Sequence, residues 1–279
     1  MDQHKPNRPL VPNGLGVIYV LVSAVYLFIL QSYYNDSNPS LSAAALALAV
    51  CILFGGFLGL LDDWISLRWR YKAFLPLFAA LPLSVMRLNL KLSTSMATYI
   101  FGKIDFGIYY YIILIPLIVT VTTNVINQLG GLNGLETVCP SIILLGLMVK
   151  SGPIALLYAM PLVVYVVLAA LNFRGKIFVG NTGTFAVGIS LAAYALVSNA
   201  EQTLLISVLP YIFNASLILL NFFLFRTTAK LILDGNKLRS EHRRSLLTLI
   251  AYYRPLTEHK LVLVVAVIVA VFASLAILA

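Results

Sequence analysis

The sequence contains few charged residues. Only 10% of its 279 residues are Asp, Glu, Lys or Arg, whereas 61% are hydrophobic and the mean hydropathy is +0.95. A soluble domain carries about 25% charged residues, so this composition excludes an ordinary water-soluble protein. The only two cysteines, Cys51 and Cys139, lie in apolar stretches without metal-ligand spacing, and packing is their expected role.

Two sequence patterns are also missing. The first 14 residues lack the short charged-then-apolar pattern and the small-residue cleavage site of a signal peptide, so the first apolar stretch is expected to remain as a helix. No strand-like alternation appears either. Nine stretches approach the roughly 20 apolar residues of a membrane span, and they are 14–33, 42–61, 73–88, 107–123, 137–149, 153–171, 182–199, 203–225 and 261–279. The sequence therefore predicts an all-α polytopic membrane protein that forms one domain over residues 1–279.

The positive charges are unevenly distributed between the loops. With nine spans, every loop after an even-numbered helix lies on the same side as the N-terminus. That side holds fifteen of the nineteen Lys and Arg residues, and the other four are Arg87, Lys91, Lys103 and Lys150. The positive-inside rule places the N-terminus and the even loops in the cytoplasm. Because the charge is spread over short membrane loops, nucleic-acid binding is not expected.

Four polar segments fall on the predicted cytoplasmic side, and the first two contain carboxylates and amides. Asp62 and Asp63 end the second helix, where they suit Mg²⁺, a phosphate-bound cation or a general base, or form a solvated helix terminus. In segment 122–136, Asn124 and Asn127 share one helical face before a glycine pair ends the helix. Their amides suit a hard cation, a uracil or a sugar, and the alternative is a polar helix cap.

The third and fourth segments suit anions. Segment 174–184 places Gly180 and Gly183 at the start of a helix, which suits a phosphate, although Asn181 or Thr182 could simply cap that helix. Loop 226–260 contains His242 among several arginines. Arginine binds phosphate oxygens bidentately, so this loop suits a diphosphate. A basic patch on anionic lipid heads explains it equally well, and the two roles are compatible.

Taken in this order, the four segments resemble the polyprenyl-phosphate N-acetylhexosamine-1-phosphate transferase family from about Pro6 to Arg244. The matching motifs are Asp62-Asp63, Asn124 to Asn127 with 131–136, Phe178 to Gly183, and His242-Arg243. The second motif is closest to the eukaryotic and archaeal form. The family usually has ten helices, and the nine spans correspond to that fold without its first helix. Asn181 stands where relatives generally carry a metal-binding aspartate.

The resemblance implies an enzyme of the cell membrane with its active site on the cytoplasmic face. It implies transfer of GlcNAc-1-phosphate, or a related HexNAc-1-phosphate, from a UDP-sugar to a polyprenyl phosphate such as dolichyl phosphate, with release of UMP. Mg²⁺, or Mn²⁺, would bind Asn127 and Asn181, and a homodimer is compatible with the family. The implied catalytic residues are Asp62, Asp63 and His242. The implied substrate-binding residues are Lys72, Asn124, Asn133, Glu136, Arg239 and Arg243.

Three alternatives to this function stay open. The nearest is an undecaprenyl-phosphate sugar-1-phosphate transferase of cell-wall polymer synthesis. A non-catalytic lipid-binding descendant is the second, because Asn181 would weaken metal binding. A transporter is the third, although its polar residues would line a path across the membrane instead of gathering on one face.

Overall fold

The computed structural model describes residues 9–98 and 102–278. Within these ranges the chain forms thirteen α-helices, with the bounds α1 Gly16–Tyr34, α2 Pro39–Ile65, α3 Trp69–Phe74, α4 Pro76–Ala79, α5 Leu81–Asn89, α6 Ile115–Gln128, α7 Leu135–Lys150, α8 Leu156–Phe173, α9 Gly180–Val197, α10 Glu201–Ser207, α11 Leu209–Phe225, α12 Leu246–Tyr253 and α13 Glu258–Leu278. A π-helical turn, Tyr110–Leu114, precedes α6, and a 3₁₀ turn, Gly152–Ile154, precedes α8. Two antiparallel hairpins pair β1 Ser95–Thr98 with β2 Gly102–Asp105, and β3 Ile232–Asp234 with β4 Lys237–Arg239. The predicted all-α polytopic architecture is confirmed.

The predicted spans coincide with helical residues, but not all of these helices are long enough to cross a membrane. In the described ranges seven segments are, namely α1, α2, Trp69–Asn89, Tyr110–Gln128, α8, α9 and α13. The pair α10 and α11, bent by 55°, forms an eighth if it is one broken span. The predicted span 137–149 forms α7, whose 16 residues rise only about 24 Å, less than the roughly 30 Å hydrocarbon core. The prediction of nine spans therefore exceeds the number that helix length supports.

Helix α9 lies at the centre of the bundle. It packs against α1, α2, α6 and α7, and nearly all of its residues are buried because they are small or apolar on every face. Its approach to α2 depends on Gly59, since a Cβ atom there would lie 2.2 Å from the Asn181 carbonyl oxygen. This glycine therefore keeps the first polar segment beside the third.

The segment before α1 pairs with the segment before α9. Phe178 N donates to Pro12 O at 2.8 Å, and Leu15 N donates back to Phe178 O at 3.1 Å. Gly16 N then donates to Val179 O at 3.0 Å. The segment that leads into α1 is thus attached to the third polar segment, while residues 1–8 lie outside the described residues.

The loop after α11 folds over the same end of the bundle. Gly235 has a φ of 62° in the turn between β3 and β4. Leu238 of β4 is buried and donates its N–H to Leu256 O at 2.7 Å, which attaches the hairpin to the chain before α13. Helix α12 then begins with a capping box formed by Ser245 and Thr248. These contacts give the fourth polar segment a defined structure.

Candidate active site

The second aspartate of the pair caps helix α9. Asp63 Oδ1 accepts the Asn181 N–H at 2.9 Å, and Oδ2 accepts the Thr182 N–H at 3.0 Å and the Thr182 hydroxyl at 2.8 Å. The first N–H groups of a helix have no partner within the helix, and a carboxylate there also opposes the helix dipole. Asp63 therefore joins the first and third polar segments and fixes the orientation of the α9 terminus.

The first aspartate of the pair holds a lysine. Asp62 is only 2% exposed, and its Oδ2 lies 2.8 Å from Lys72 Nζ. Its Oδ1 accepts the Leu67 N–H at 2.9 Å. A buried carboxylate needs both a counter-ion and hydrogen bonds to offset its lost hydration, and Asp62 has both. This pair fixes the position of Lys72, whose side chain stays 31% exposed.

Lys72 lies beside a large apolar groove. The groove has a volume of about 560 Å³, is formed by α3, α6 and α11, and is lined by Trp69, Lys72, Ala73, Thr120, Val121, Asn124, Val125, Asn127, Gln128, Ala215, Ile218, Leu219, Phe222 and Phe223. The Trp69 and Phe223 rings meet edge to face with 6.3 Å between centroids. A mostly apolar cavity with one cation and a few amides suits an amphiphile that combines hydrocarbon with an anionic group.

Asn124 both lines this groove and joins two of its walls. Its Nδ2 donates to Ala73 O at 3.1 Å and to Thr120 O at 2.8 Å. Ala73 follows Lys72 on α3, whereas Thr120 lies on α6. The two hydrogens of this amide therefore hold the lysine-bearing helix against α6.

Asn127 and Asn181, the two predicted metal ligands, lie around one threonine. The Thr184 hydroxyl donates to Asn127 Oδ1 at 2.6 Å and lies 3.3 Å from the Asn181 carbonyl oxygen. Within residues 9–98 and 102–278, no cluster of three or more His, Cys, Asp or Glu side chains could hold a metal ion. A cation in this region would depend on amide oxygens and on negative charge from its ligand.

Asn133 and Glu136 have partners inside the protein. Asn133 is 1% exposed, and its backbone N and its Nδ2 donate to Glu258 Oε1 at 2.8 and 2.9 Å. Glu136 Oε1 accepts the Gly131 N–H at 2.9 Å. In this geometry both side chains stabilise the glycine loop between α6 and α7. Their predicted contact with substrate stays a prediction.

The basic residues of the fourth segment are held by neighbours in the same segment. His242 Nε2 accepts the Lys230 N–H at 3.1 Å. Partial burial, followed by the charge of Arg244, lowers the pKa of His242. Arg243 donates to the Tyr253 hydroxyl at 2.8 Å and lies 5.2 Å from the Tyr252 ring centroid.

Arg239, the remaining basic residue predicted to bind substrate, lies on β4. It is exposed and lies 3.4 Å from Glu241, also exposed. An exposed pair of this kind contributes little to stability, so its guanidinium can exchange this partner for another anion.

Sequence analysis missed three polar side chains that organise the site. Asn172 accepts the Gly134 N–H at 2.8 Å and donates to Ile177 O at 2.7 Å, which joins the second and third segments. Thr184 and Glu258 make the contacts with Asn127 and Asn133 described above. All three lie near the ends of apolar stretches, where polar residues are common. Thr184 and Glu258 also lie within the third and fourth polar segments, but neither signal separates a site residue from an interfacial one.

These observations define a polytopic α-helical membrane protein whose four polar segments meet at one end of the bundle, next to an amphiphile-sized groove. The profile of glycosyl transferase family 4 matches residues 45–199, more than half of the chain. The chain belongs to this family, which confirms the resemblance.

The relatives within this family are named as transferases of two kinds. A Saccharolobus solfataricus protein, provisionally named UDP-N-acetylglucosamine–dolichyl-phosphate N-acetylglucosaminephosphotransferase, is 30% identical over 99% of this chain and 86% of its own length. The Dictyostelium discoideum protein of that name is 29% identical over 77% of the chain, which spans only 63% of that protein. The phospho-N-acetylmuramoyl-pentapeptide-transferase of Streptococcus mutans is 25% identical over 81% of the chain and 70% of its own length.

Proposed function

We propose that the protein transfers N-acetylglucosamine-1-phosphate, or a related N-acetylhexosamine-1-phosphate, from a UDP-sugar to a polyprenyl phosphate such as dolichyl phosphate. The observation that carries this proposal is the 560 Å³ apolar groove with Lys72 beside it, held in place by Asp62. The groove suits a prenyl chain and the ammonium suits its phosphate. The names of the archaeal and eukaryotic relatives support the same reaction. By the positive-inside rule, the reaction takes place at the cytoplasmic face of the cell membrane.

In this reaction an oxygen of the lipid phosphate attacks the β-phosphorus of the UDP-sugar. The bond from that phosphorus to the bridging oxygen breaks, and the oxygen leaves with UMP. The product is a polyprenyl diphosphate sugar. Phosphoryl transfer depends mainly on positioning the reactants and neutralising their charge, and Lys72 does both for the lipid phosphate.

The two aspartates act at different places in this scheme. Asp62 orients Lys72, and Asp63 orients the start of α9 with Asn181. Both oxygens of Asp63 already accept hydrogen bonds, so it acts as a positioning residue. Deprotonation of the lipid phosphate by Asp62 or Asp63 stays a prediction.

The fourth segment supplies the groups for the nucleotide diphosphate. Arg243 and Arg239 bind its oxygens once they exchange their present partners, Tyr253 and Glu241. Arginine suits this role because its planar fork matches phosphate oxygens. His242 contributes as a neutral imidazole near pH 7, since its pKa is lowered.

Homodimer formation remains a prediction.

A divalent cation fits these residues only in combination with the substrate. Asn127 and Asn181 offer neutral oxygens of the type that Mg²⁺ accepts, with Mn²⁺ as a substitute, and the nucleotide diphosphate supplies the anionic ligands. When bound, the ion neutralises charge on the diphosphate. The Thr184 hydroxyl donates to the Asn127 amide oxygen, and Asp63 fixes the backbone at Asn181.

The test compares two cations of the same short helix. We would measure UMP release from UDP-GlcNAc and dolichyl phosphate by the purified full chain in lipid nanodiscs. Lys72→Met is expected to lower turnover by about 100-fold, as loss of one preorganised charge does in other active sites. Arg70→Met, which removes an exposed cation stacked on Trp69, is expected to stay within about twofold. No UMP from the wild type with dolichyl or undecaprenyl phosphate and a range of UDP-sugars would reject the proposal.

A further inference from the structure

A second cavity joins the second and fourth polar segments. It has a volume of about 240 Å³ and lies between the end of α6, the middle of α11 and the start of α12. Its lining includes Gly130, Gly131, Asn214, Ile218, Ser245 and Leu247, and we call it the α6–α11 pocket. It is smaller than the roughly 300–1,000 Å³ that whole small-molecule ligands occupy, so it suits one end of a larger ligand.

The α6–α11 pocket contains a buried amide with one unused donor. Asn214 is 1% exposed, and its Oδ1 accepts the Leu246 N–H at 2.9 Å. That bond fixes the orientation of the amide, because the N–H of Leu246 needs an acceptor. Nδ2 is left buried, and no group in the part of the chain that the structure describes accepts a hydrogen bond from it. Buried polar groups are almost always hydrogen-bonded, so this donor indicates a ligand acceptor.

The rest of the pocket complements such an acceptor. Gln128 and Leu129 also line it, and they are the last residue and the C-cap of α6, where carbonyl oxygens have no partner within the helix. Ile218 and Leu247 add apolar surface. A donor, nearby acceptors and an apolar wall together match a secondary amide, which carries a carbonyl oxygen, an N–H and a carbon substituent.

We propose that the α6–α11 pocket recognises a secondary amide of the nucleotide sugar, with Asn214 Nδ2 donating to its carbonyl oxygen. This inference rests on the proposed function and adds a specificity-determining residue outside the four motifs. Two parts of a UDP-N-acetylhexosamine have this chemistry, namely the acetamido group of the sugar and the uracil ring. The apolar wall favours the acetamido group because of its methyl carbon.

The experiment measures equilibrium binding of UDP-GlcNAc, UDP-glucose and UMP to the purified full chain by titration calorimetry. Asn214→Leu and Asn214→Asp both remove the donor. Leu also removes the acceptor for Leu246, whereas Asp keeps it and adds charge, so only an effect common to both variants counts. The matched control is Asn221→Leu on the same helix, since Asn221 Nδ2 donates to Leu217 O of its own helix at 2.7 Å.

We expect both Asn214 variants to bind UDP-GlcNAc about tenfold more weakly, and the Asn221 control to stay within about twofold. Unchanged affinity for UDP-glucose and UMP would assign the pocket to the acetamido group, and equal losses for all three ligands would assign it to uracil. If both Asn214 variants bind all three ligands with wild-type affinity, the inference is overturned. Normal UDP-GlcNAc binding without UMP release would reject only the proposed reaction, and a wild-type protein that binds none of the three ligands would overturn both.

Discussion

The two ends of helix α9 both contact charged residues, but their surroundings differ. Its first residues bind Asp63, next to the Asp62–Lys72 pair and the groove. About 24 Å along the helix, the Leu196 carbonyl accepts a hydrogen bond from Arg87, which is 0% exposed. Arg87 also donates to Ser93 O at 2.7 Å and to the Asn199 side chain at 3.0 Å.

The difference between these surroundings distinguishes a charge of the candidate active site from a charge that only stabilises the fold. Arg87 lies 4.9 Å from the centroid of the Tyr110 ring, and the Tyr110 hydroxyl donates to Glu201. Arg87, Tyr110 and Glu201 thus contact one another or nearby oxygen atoms at this end of α9, and none of them lines the groove. Lys72 has one partner and remains partly exposed beside an open cavity. Ionisable residues in membrane spans are functional candidates by default. Here the partial exposure of Lys72 at a cavity distinguishes it, as the functional charge, from the fully buried Arg87, which is structural.

The largest effect is expected at the structural end. Arg87→Met removes the donor of three hydrogen bonds, including the one to the carbonyl of the buried Leu196, so we expect the free energy of unfolding to fall by about 3–5 kcal/mol. Turnover per folded molecule should stay within about twofold of wild type. Denaturation in detergent, followed as a melting temperature and as an SDS midpoint, measures the change in stability. UMP release measures turnover.

Arg87→Lys is the matched control because it keeps the charge but offers a smaller donor group. It should fall between Met and wild type in stability. A stable Arg87→Met protein with impaired turnover would reverse the assignment and place a functional charge at this end.

The second prediction neutralises one carboxylate at each end of α9. Asp63→Asn places an amide N–H₂ among three donors, so the α9 terminus loses its cap and Asn181 loses its position. We expect turnover to fall by about 100-fold. Glu201→Gln keeps an acceptor for the Tyr110 hydroxyl, and its turnover should stay within about twofold.

Both variants are assayed by UMP release at equal folded concentration. Comparable losses in the two would mean that α9 responds to charge at either end, and the distinction between the ends would fail. If Asp63→Asn keeps wild-type turnover, the capping of α9 by Asp63 has no role in the proposed reaction.

The helices and the four segments were predictable because hydropathy and local polarity are properties of short stretches. The roles within the Asp62-Asp63 pair were not. Adjacent residues on a helix point about 100° apart, so Asp62 faces Lys72 on α3 whereas Asp63 faces α9. The partners of Asp63 lie more than one hundred residues away along the chain, and no local pattern indicates them.

Other differences between prediction and structure also arise from long-range packing. The sequence places Arg87 among the loop charges, because the positive-inside rule counts positions and not burial. The structure buries it, since α9 and the following turn supply its acceptors. Asn133 and Asn214 likewise acquire their environments from Glu258 and Leu246, which belong to distant elements.

The smallest effect is expected in the fourth segment, where one histidine makes the proposed site sensitive to pH. Burial and Arg244 lower the pKa of His242, so the folded loop favours the neutral imidazole, whose Nε2 accepts the Lys230 N–H. A lowered histidine pKa means that this contribution is present at pH 7 and is lost as the pH falls below the ordinary histidine value. We expect the KM for UDP-GlcNAc to rise about threefold between pH 7.5 and pH 5.5. His242→Asn cannot titrate and should flatten this rise, whereas His259→Asn, at the start of α13, should leave it intact. If His242→Asn keeps the full pH dependence, or if acid lowers KM, the neutral histidine has no part in binding the nucleotide sugar.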